Sequence, residues 1–248
     1  FTPEVITVFL NWLYEHATYL MTKYRSGSNW ALFKASGLAT IAIFFPEFKD
    51  AENWRSEAIN RFVKEIDIQV LPDGYQKELS MTYHVNAISD FLGVYEFAVL
   101  NGVTDAFPAS YKQKIERMCE VPMKFLLLNG TSPQFGDDWE GLANKYSSQF
   151  LKWGSVFNRN DFLFIATGGQ GGTKPDSTAF ASPISGSYSM RSGWTPNDIC
   201  LVIKCGPDGG YHSQPDNGTF VVYAGGRNLT PDAGVYAYSS DPTWRNWF

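Results

Sequence analysis

Gly168-Gly169-Gln170-Gly171-Gly172 divides the chain. Before it, apolar residues recur at helical spacing, and after it they alternate with a period of two, as half-buried strands require. Upstream, the spacing predicts helices over about 2–24, 29–45, 50–68, 83–101 and 108–128, with a further helix ending at Phe157. Downstream, strands are expected at Ser185–Ser192, Ile199–Lys204, Thr219–Tyr223 and Val235–Tyr238, parted by turns such as Pro207-Asp208-Gly209, Asp216-Asn217-Gly218 and Ala224-Gly225-Gly226. A run of helices followed by a run of strands implies two domains, an α-helical one over 1–168 and an antiparallel β one over 169–248.

Within the helical part, Thr2 and Pro3 suit a helix start, and Ser28 suits the cap of the second helix. The small residues Ala35, Gly37, Ala39 and Ala42 permit close helix packing there. In the third helix Trp54, Ile59, Phe62, Val63 and Ile66 share one face, and the charged residues are expected opposite them. Similar helices joined by short polar loops indicate an array of helical hairpins with function on one rim.

Composition narrows the function classes. The 248 residues are 44% hydrophobic, enough to fill a sizeable core. A formal net charge of -5 without a basic run excludes a nucleic-acid surface. No apolar run reaches the roughly 18 residues of a membrane span, and no signal peptide is visible. An aromatic share of 16% fits both a core and a ring-lined sugar cleft. Cys119, Cys200 and Cys205 form an odd set without zinc spacing and are expected to be buried free thiols. The chain opens at a helix start and stops at Trp244-Arg245-Asn246-Trp247-Phe248, which reads as a piece of a longer polypeptide.

Three places gather chemistry. Gly209-Gly210-Tyr211-His212 delivers a histidine into a turn ahead of Asp216-Asn217-Gly218; a surface hairpin histidine is the alternative. Tyr83-His84 stands where a loop enters a helix, close to Glu78 and Asn86; a histidine hydrogen-bonded beneath a core is the alternative. Asn29 beside Trp30 opens a helix, where Asn also serves as a simple cap. With only His16, His84 and His212 present, and no Ser-His-Asp, Cys-His or paired-carboxylate signature, chemistry must be built from Tyr, His and Asn. That set suits proton abstraction next to a carboxylate. A neutral amide stabilises the charge developing on the carboxylate, a Tyr or His takes the proton, and a Tyr hydroxyl protonates the leaving oxygen. This is β-elimination at a uronic acid.

Ser28-Asn29-Trp30, Thr82-Tyr83-His84, Ser189-Met190-Arg191-Ser192-Gly193-Trp194, His212-Ser213-Gln214-Pro215-Asp216-Asn217-Gly218 and Leu229-Thr230-Pro231-Asp232-Ala233-Gly234-Val235-Tyr236 together resemble the heparinase II/III group of polysaccharide lyases, closest to its heparinase III branch. The resemblance covers nearly the whole chain. It implies an incomplete (α/α) toroid followed by an antiparallel β-sandwich, with the sugar in a cleft between them. It implies that Asn29 neutralises the uronate carboxylate, that Tyr83 is general acid and, for glucuronate, also base, that His212 is the second acid/base group, and that His84 lies near the carboxylate. Trp30, Glu78, Asn86 and Trp139 are the expected sugar-binding residues.

Some relatives hold a metal in the sandwich, and the matching positions here are Gln214 and Asp232. A divalent cation at that place, calcium or zinc, would be structural, with glutamine better suited to the harder ion. No cofactor is required for the chemistry. Several alginate lyases of the group place a His after the Asn, where this chain has Trp30, which favours a heparan sulfate-type substrate over alginate. A catalytically silent carbohydrate-binding protein is the reading from another class. The expected partner is an acidic polysaccharide of the heparan sulfate or heparin kind, the expected state a monomer, and the resemblance implies a periplasmic or secreted bacterial location.

Overall fold

The computed structural model describes residues 1–103, 106–139, 141–235, 238 and 243. Among the described residues seven helices come first: α1 Pro3–Thr22, α2 Asn29–Phe44, α3 Ala51–Gln69, α4 Met81–Leu100, α5 Ala109–Phe125, α6 Ser147–Phe157 and α7 Asn160–Ala166. Five strands follow among the described residues: β1 Ala179–Ser182, β2 Ser187–Arg191, β3 Cys200–Lys204, β4 Thr219–Ala224 and β5 Arg227–Asn228. A helical region followed by an antiparallel sheet is the order the sequence predicts.

Two compact units are built from this chain, one of Phe1–Gln69 with Ala87–Ile115 and one of Val70–Asn86 with Glu116–Phe248. Their division crosses α4 and α5, whereas helices give way to strands between Ala166 and Ala179.

In the first unit α2 buries Ala31, Leu32, Ala35, Leu38, Ala39, Ile41, Ala42 and Ile43, while Trp30, Phe33, Thr40 and Phe44 stay exposed. Its small residues let α1 approach so closely that a Cβ on Gly37 would stand 3.2 Å from Leu20. Ser28 makes no side-chain cap bond, so it does not cap α2 in the expected way. The apolar face of α3 packs inward as predicted, but Arg61, Glu65 and Gln69 are buried as well, 4%, 0% and 0% exposed. The expectation that charge lies on the outer face fails there because these side chains find partners in the α1–α2 connection.

In the second unit the strands pair consecutively in the order β1-β2-β3-β4-β5, all antiparallel. Alternation sends Ser187, Ser189 and Arg191 of β2, Cys200, Val202 and Lys204 of β3, and Val221 and Tyr223 of β4 to the buried side. Three of the polar members bond locally, although Arg191 Nε has no hydrogen-bond partner among the described residues. Ser189 Oγ and Arg191 Nη2 both donate to the Lys124 carbonyl at the end of α5, at 2.7 and 2.5 Å. Lys204 Nζ donates to the Ser185 carbonyl at 2.9 Å, and burial lowers its pKa to about 8. Cys119 and Cys200 are buried thiols, but Cys205 is exposed, because β3 ends one residue before it. Of the expected strand Val235–Tyr238, residues 236 and 237 lie outside the described residues.

Candidate active site

The loop leading into α4 sets the site's floor. Leu71-Pro72-Asp73-Gly74-Tyr75 closes a turn in which the Gly74 amide donates to the Leu71 carbonyl at 2.8 Å, with Gly74 at φ +92°. The chain then reaches the first turn of α4, where Thr82, Tyr83 and His84 sit. His84 lies beneath it, fully buried. The Gln76 amide donates to its Nδ1 at 3.0 Å, so its proton is on Nε2, which donates to the Met118 carbonyl at 2.9 Å. Burial drives its pKa down to about 4 and keeps the ring neutral. With both nitrogens on backbone partners, His84 acts here as a tie between the loop and α5 and touches nothing outside the core.

Tyr83 points the other way and is half-exposed. Its ring stacks on the His212 imidazole, centroids 3.5 Å apart and planes 11° apart. Two glycines bring the His212 loop this close. A Cβ on Gly209 would stand 2.6 Å from the Lys77 carbonyl oxygen, and one on Gly136 would stand 2.5 Å from that of His212.

Asp137 organises the surrounding polar groups. Its Oδ2 accepts from Tyr238 Oη at 2.9 Å and from His212 Nδ1 at 3.1 Å, and its Oδ1 accepts from Gln214 Nε2 at 3.0 Å. Its backbone amide donates to the His212 carbonyl at 2.8 Å and its own carbonyl accepts from Ser80 Oγ at 3.0 Å, fixing the carboxylate. Because a carboxylate takes the Nδ1 proton, the lone pair of neutral His212 lies on Nε2. Tyr83 Oη and Tyr238 Oη are 3.1 Å apart; since Tyr238 donates to Asp137, Tyr83 donates to Tyr238. Burial, then the hydrogen bonds to Tyr83 and Asp137, push the Tyr238 phenol well above its ordinary pKa. The result is a hydrogen-bonded run from Tyr83 through Tyr238 to a carboxylate that also orients a histidine.

Tyr83, His212 and Gln214 thus meet in the second unit, together with Asp137 and Tyr238, which the sequence reading did not single out. Asn29 and Trp30 belong to the first unit, Asn29 half-buried at the start of α2 and Trp30 67% exposed. Trp139 is 39% exposed and meets Tyr238 edge to face at 5.9 Å. Asn86 is exposed, whereas Glu78 is buried with Oε2 unpartnered, beneath any surface a sugar would touch. Asp232 accepts from the Gly234 amide at 2.9 Å, and Gln214 Nε2 also reaches the Gly234 carbonyl at 3.4 Å. Among the described residues no group of three or more His, Cys, Asp or Glu is arranged to hold a metal ion.

Comparison with known proteins agrees with this architecture. A heparin-sulfate lyase of Pedobacter heparinus is 41% identical over 252 residues, covering 100% of this chain and 38% of the relative. One from Bacteroides stercoris is 36% identical over 253 residues, again with 100% and 38% covered. The crystal structure of a heparan sulfate lyase from Pedobacter heparinus superposes with a TM-score of 0.84 at 41% identity, covering 100% of this chain and 39% of that one. The chain therefore spans under two-fifths of the length of the curated relatives it matches. The description "Heparinase II/III N-terminus" matches residues 1–164 and "Heparinase II/III-like, C-terminal" matches 174–248, so the chain belongs to the heparinase II/III family.

Proposed function

We propose that this chain is the catalytic part of a polysaccharide lyase that cleaves heparan sulfate-type glycosaminoglycan by β-elimination at the uronic acid. The observation that carries the reading is the stack of Tyr83 on His212 with both tied to Asp137, Tyr83 by way of Tyr238. It supplies two proton-transfer groups side by side, each with its hydrogen-bonding direction set. The names of the relatives support the substrate class.

In the proposed reaction Asn29 donates to the uronate carboxylate, so that charge builds there as the C5 proton leaves. Tyr83 Oη takes that proton from glucuronate as it hands its own hydroxyl proton to O4, while the C5–H electrons form the C4–C5 double bond and the C4–O4 bond breaks. His212 Nε2 serves as base when the C5 proton lies on the opposite face, as in iduronate. Asp137 holds His212 and Tyr238 in place, and His84 positions the loop under Tyr83. Trp30, Asn86 and Trp139 contact the sugar, and Glu78 supports the loop from below. A division into a helical domain over 1–168 and a β-domain over 169–248 would assign Tyr83 to the first and His212 to the second.

We assign Gln214 and Asp232 to a structural divalent cation. What supports this is hard oxygen chemistry and an excess of negative charge. Burial raises the pKa of Asp216 and Asp232, and Asp216 is raised further by the Asp232 and Asp137 charges. A cation would relieve that repulsion and pin the loops carrying His212 and Asp232. Chelation should then lower the unfolding temperature, with calcium restoring it; an unchanged melting curve would remove the metal from the proposal.

We place the protein outside the cytoplasm, as a monomer acting on extracellular polysaccharide. The decisive assay follows the ultraviolet absorbance of unsaturated uronate with heparan sulfate, heparin and alginate in parallel. Absorbance rising on heparan sulfate supports the reading; a rise on alginate alone reassigns the substrate, and none on any leaves a binding protein.

A further inference from the structure

Helix α3 carries Arg61, Glu65 and Gln69 one turn apart, a stripe of buried polar groups within an apolar face. All three turn to the connection between α1 and α2. Arg61 Nη1 and Nη2 donate to the Leu20 and Met21 carbonyls, both at 2.9 Å, closing the end of α1, and the guanidinium lies 4.5 Å over the Tyr24 ring. Glu65 accepts from the Tyr24 hydroxyl, from Ser26 Oγ at 2.5 Å, from the Gly27 amide at 3.0 Å and from Gln69 Nε2 at 2.6 Å. Gln69 Nε2 also donates to the Ser28 carbonyl at 3.1 Å. The segment held in this way delivers Asn29.

A helix-to-helix connection does not need this. A few residues with one glycine suffice, and Gly27 at φ +90° already provides the reversal. A carboxylate buried without an ion pair among the described residues carries a desolvation cost that an apolar residue would avoid. What a buried polar network of this kind adds is a single backbone geometry, here with every oxygen of Glu65 bonded and only Gln69 Oε1 without a partner among the described residues. Here that geometry is the path of Tyr24-Arg25-Ser26-Gly27-Ser28 into the first residue of α2.

We propose that Glu65, backed by Arg61 and Gln69, is a positioning residue that fixes Asn29 for the uronate carboxylate; the inference rests on the role assigned to Asn29 above. Glu65 acts through the loop and touches no substrate.

The test is a double-mutant cycle in the full-length polypeptide, with kcat, KM and unfolding temperature read for Asn29→Ala, Glu65→Gln and the pair. Glu65→Gln keeps the size of the side chain but turns an amide N–H toward donors. Loss of alignment should lower kcat by roughly 10–100-fold with KM little changed. In the Asn29→Ala background the same substitution should change kcat less than about twofold, because the group it positions is gone. Ser26→Ala, which removes one of the four donors, repeats the cycle with a smaller loss if Glu65→Gln fails to fold. Equal losses in both backgrounds, or a lower unfolding temperature with kcat intact, overturn the inference. Full activity in Asn29→Ala alone overturns the role of Asn29 itself, and the positioning role falls with it.

Discussion

At the scale of single residues, the Tyr83–His212 stack separates ring from hydroxyl. Tyr83→Phe keeps the ring face on the imidazole and removes only the oxygen that meets Tyr238. Turnover should be lost while the unfolding temperature moves little, as activity assays and thermal melts would show; retained turnover would take Tyr83 out of the mechanism. Asp137→Asn tests the other half. An amide cannot accept from His212 Nδ1, Tyr238 and Gln214 together, so the imidazole loses its orientation, and kcat should fall by roughly 10²–10⁴. Rates within threefold of the parent would show that His212 needs no carboxylate. Tyr83 and His212 were legible in the sequence because histidine is rare in it, with three in all, and two stand in turn-like surroundings. Asp137 was not, since Gly136-Asp137-Asp138 has the composition of an ordinary turn, and Tyr238 was hidden in a stretch read only as a strand.

At the scale of elements, the hydrophobic period gave most helices and the middle strands to within a few residues, because burial of one face drives both. It missed α7, β1 and β5, which span 7, 4 and 2 residues, too few to display a period. It also misread the polar stripe of α3, since a charge buried by partners distant in sequence looks like a charge facing water. Loop pairing was equally illegible. Gly136 stands at φ +70° and its amide donates to Asp216 Oδ2 at 2.6 Å, while the next residue pairs with the His212 carbonyl. Gly136→Ala meets both a left-handed backbone and that carbonyl, so the two loops must part. A loss of about 1–3 kcal/mol of stability is expected from calorimetry, together with reduced turnover from displacement of Asp137. A variant as stable and as active as the parent would mean that the two loops are not held in this contact.

At the scale of the whole molecule, two buried titratable groups oppose each other in mild acid. The pKa of His84 is about 4 in the folded chain against 6.5 as its ordinary value. Between these values the unfolded chain binds the extra proton, so stability falls as pH falls, by about 1.4 kcal/mol per unit at full slope. Asp90 runs in the opposite direction. Burial raises its pKa to about 6 from 3.8, so over nearly the same window the folded chain binds the extra proton, and stability rises as pH falls. With both present, the contributions largely cancel between about pH 6 and pH 4. The carboxylates whose pKa values are lowered in the fold, Glu65, Glu120 and Asp161, withdraw stability only as pH drops through their ordinary range and below. Asp90→Asn removes one arm of the balance. Its denaturation free energy should then fall relative to the parent's from about pH 6 to pH 4, and that of a His84→Gln variant that folds should rise relative to the parent's over the same interval. Parallel curves for Asp90→Asn and the parent would show that Asp90 does not change its proton affinity on folding, and would leave the acid response to His84 and the paired carboxylates.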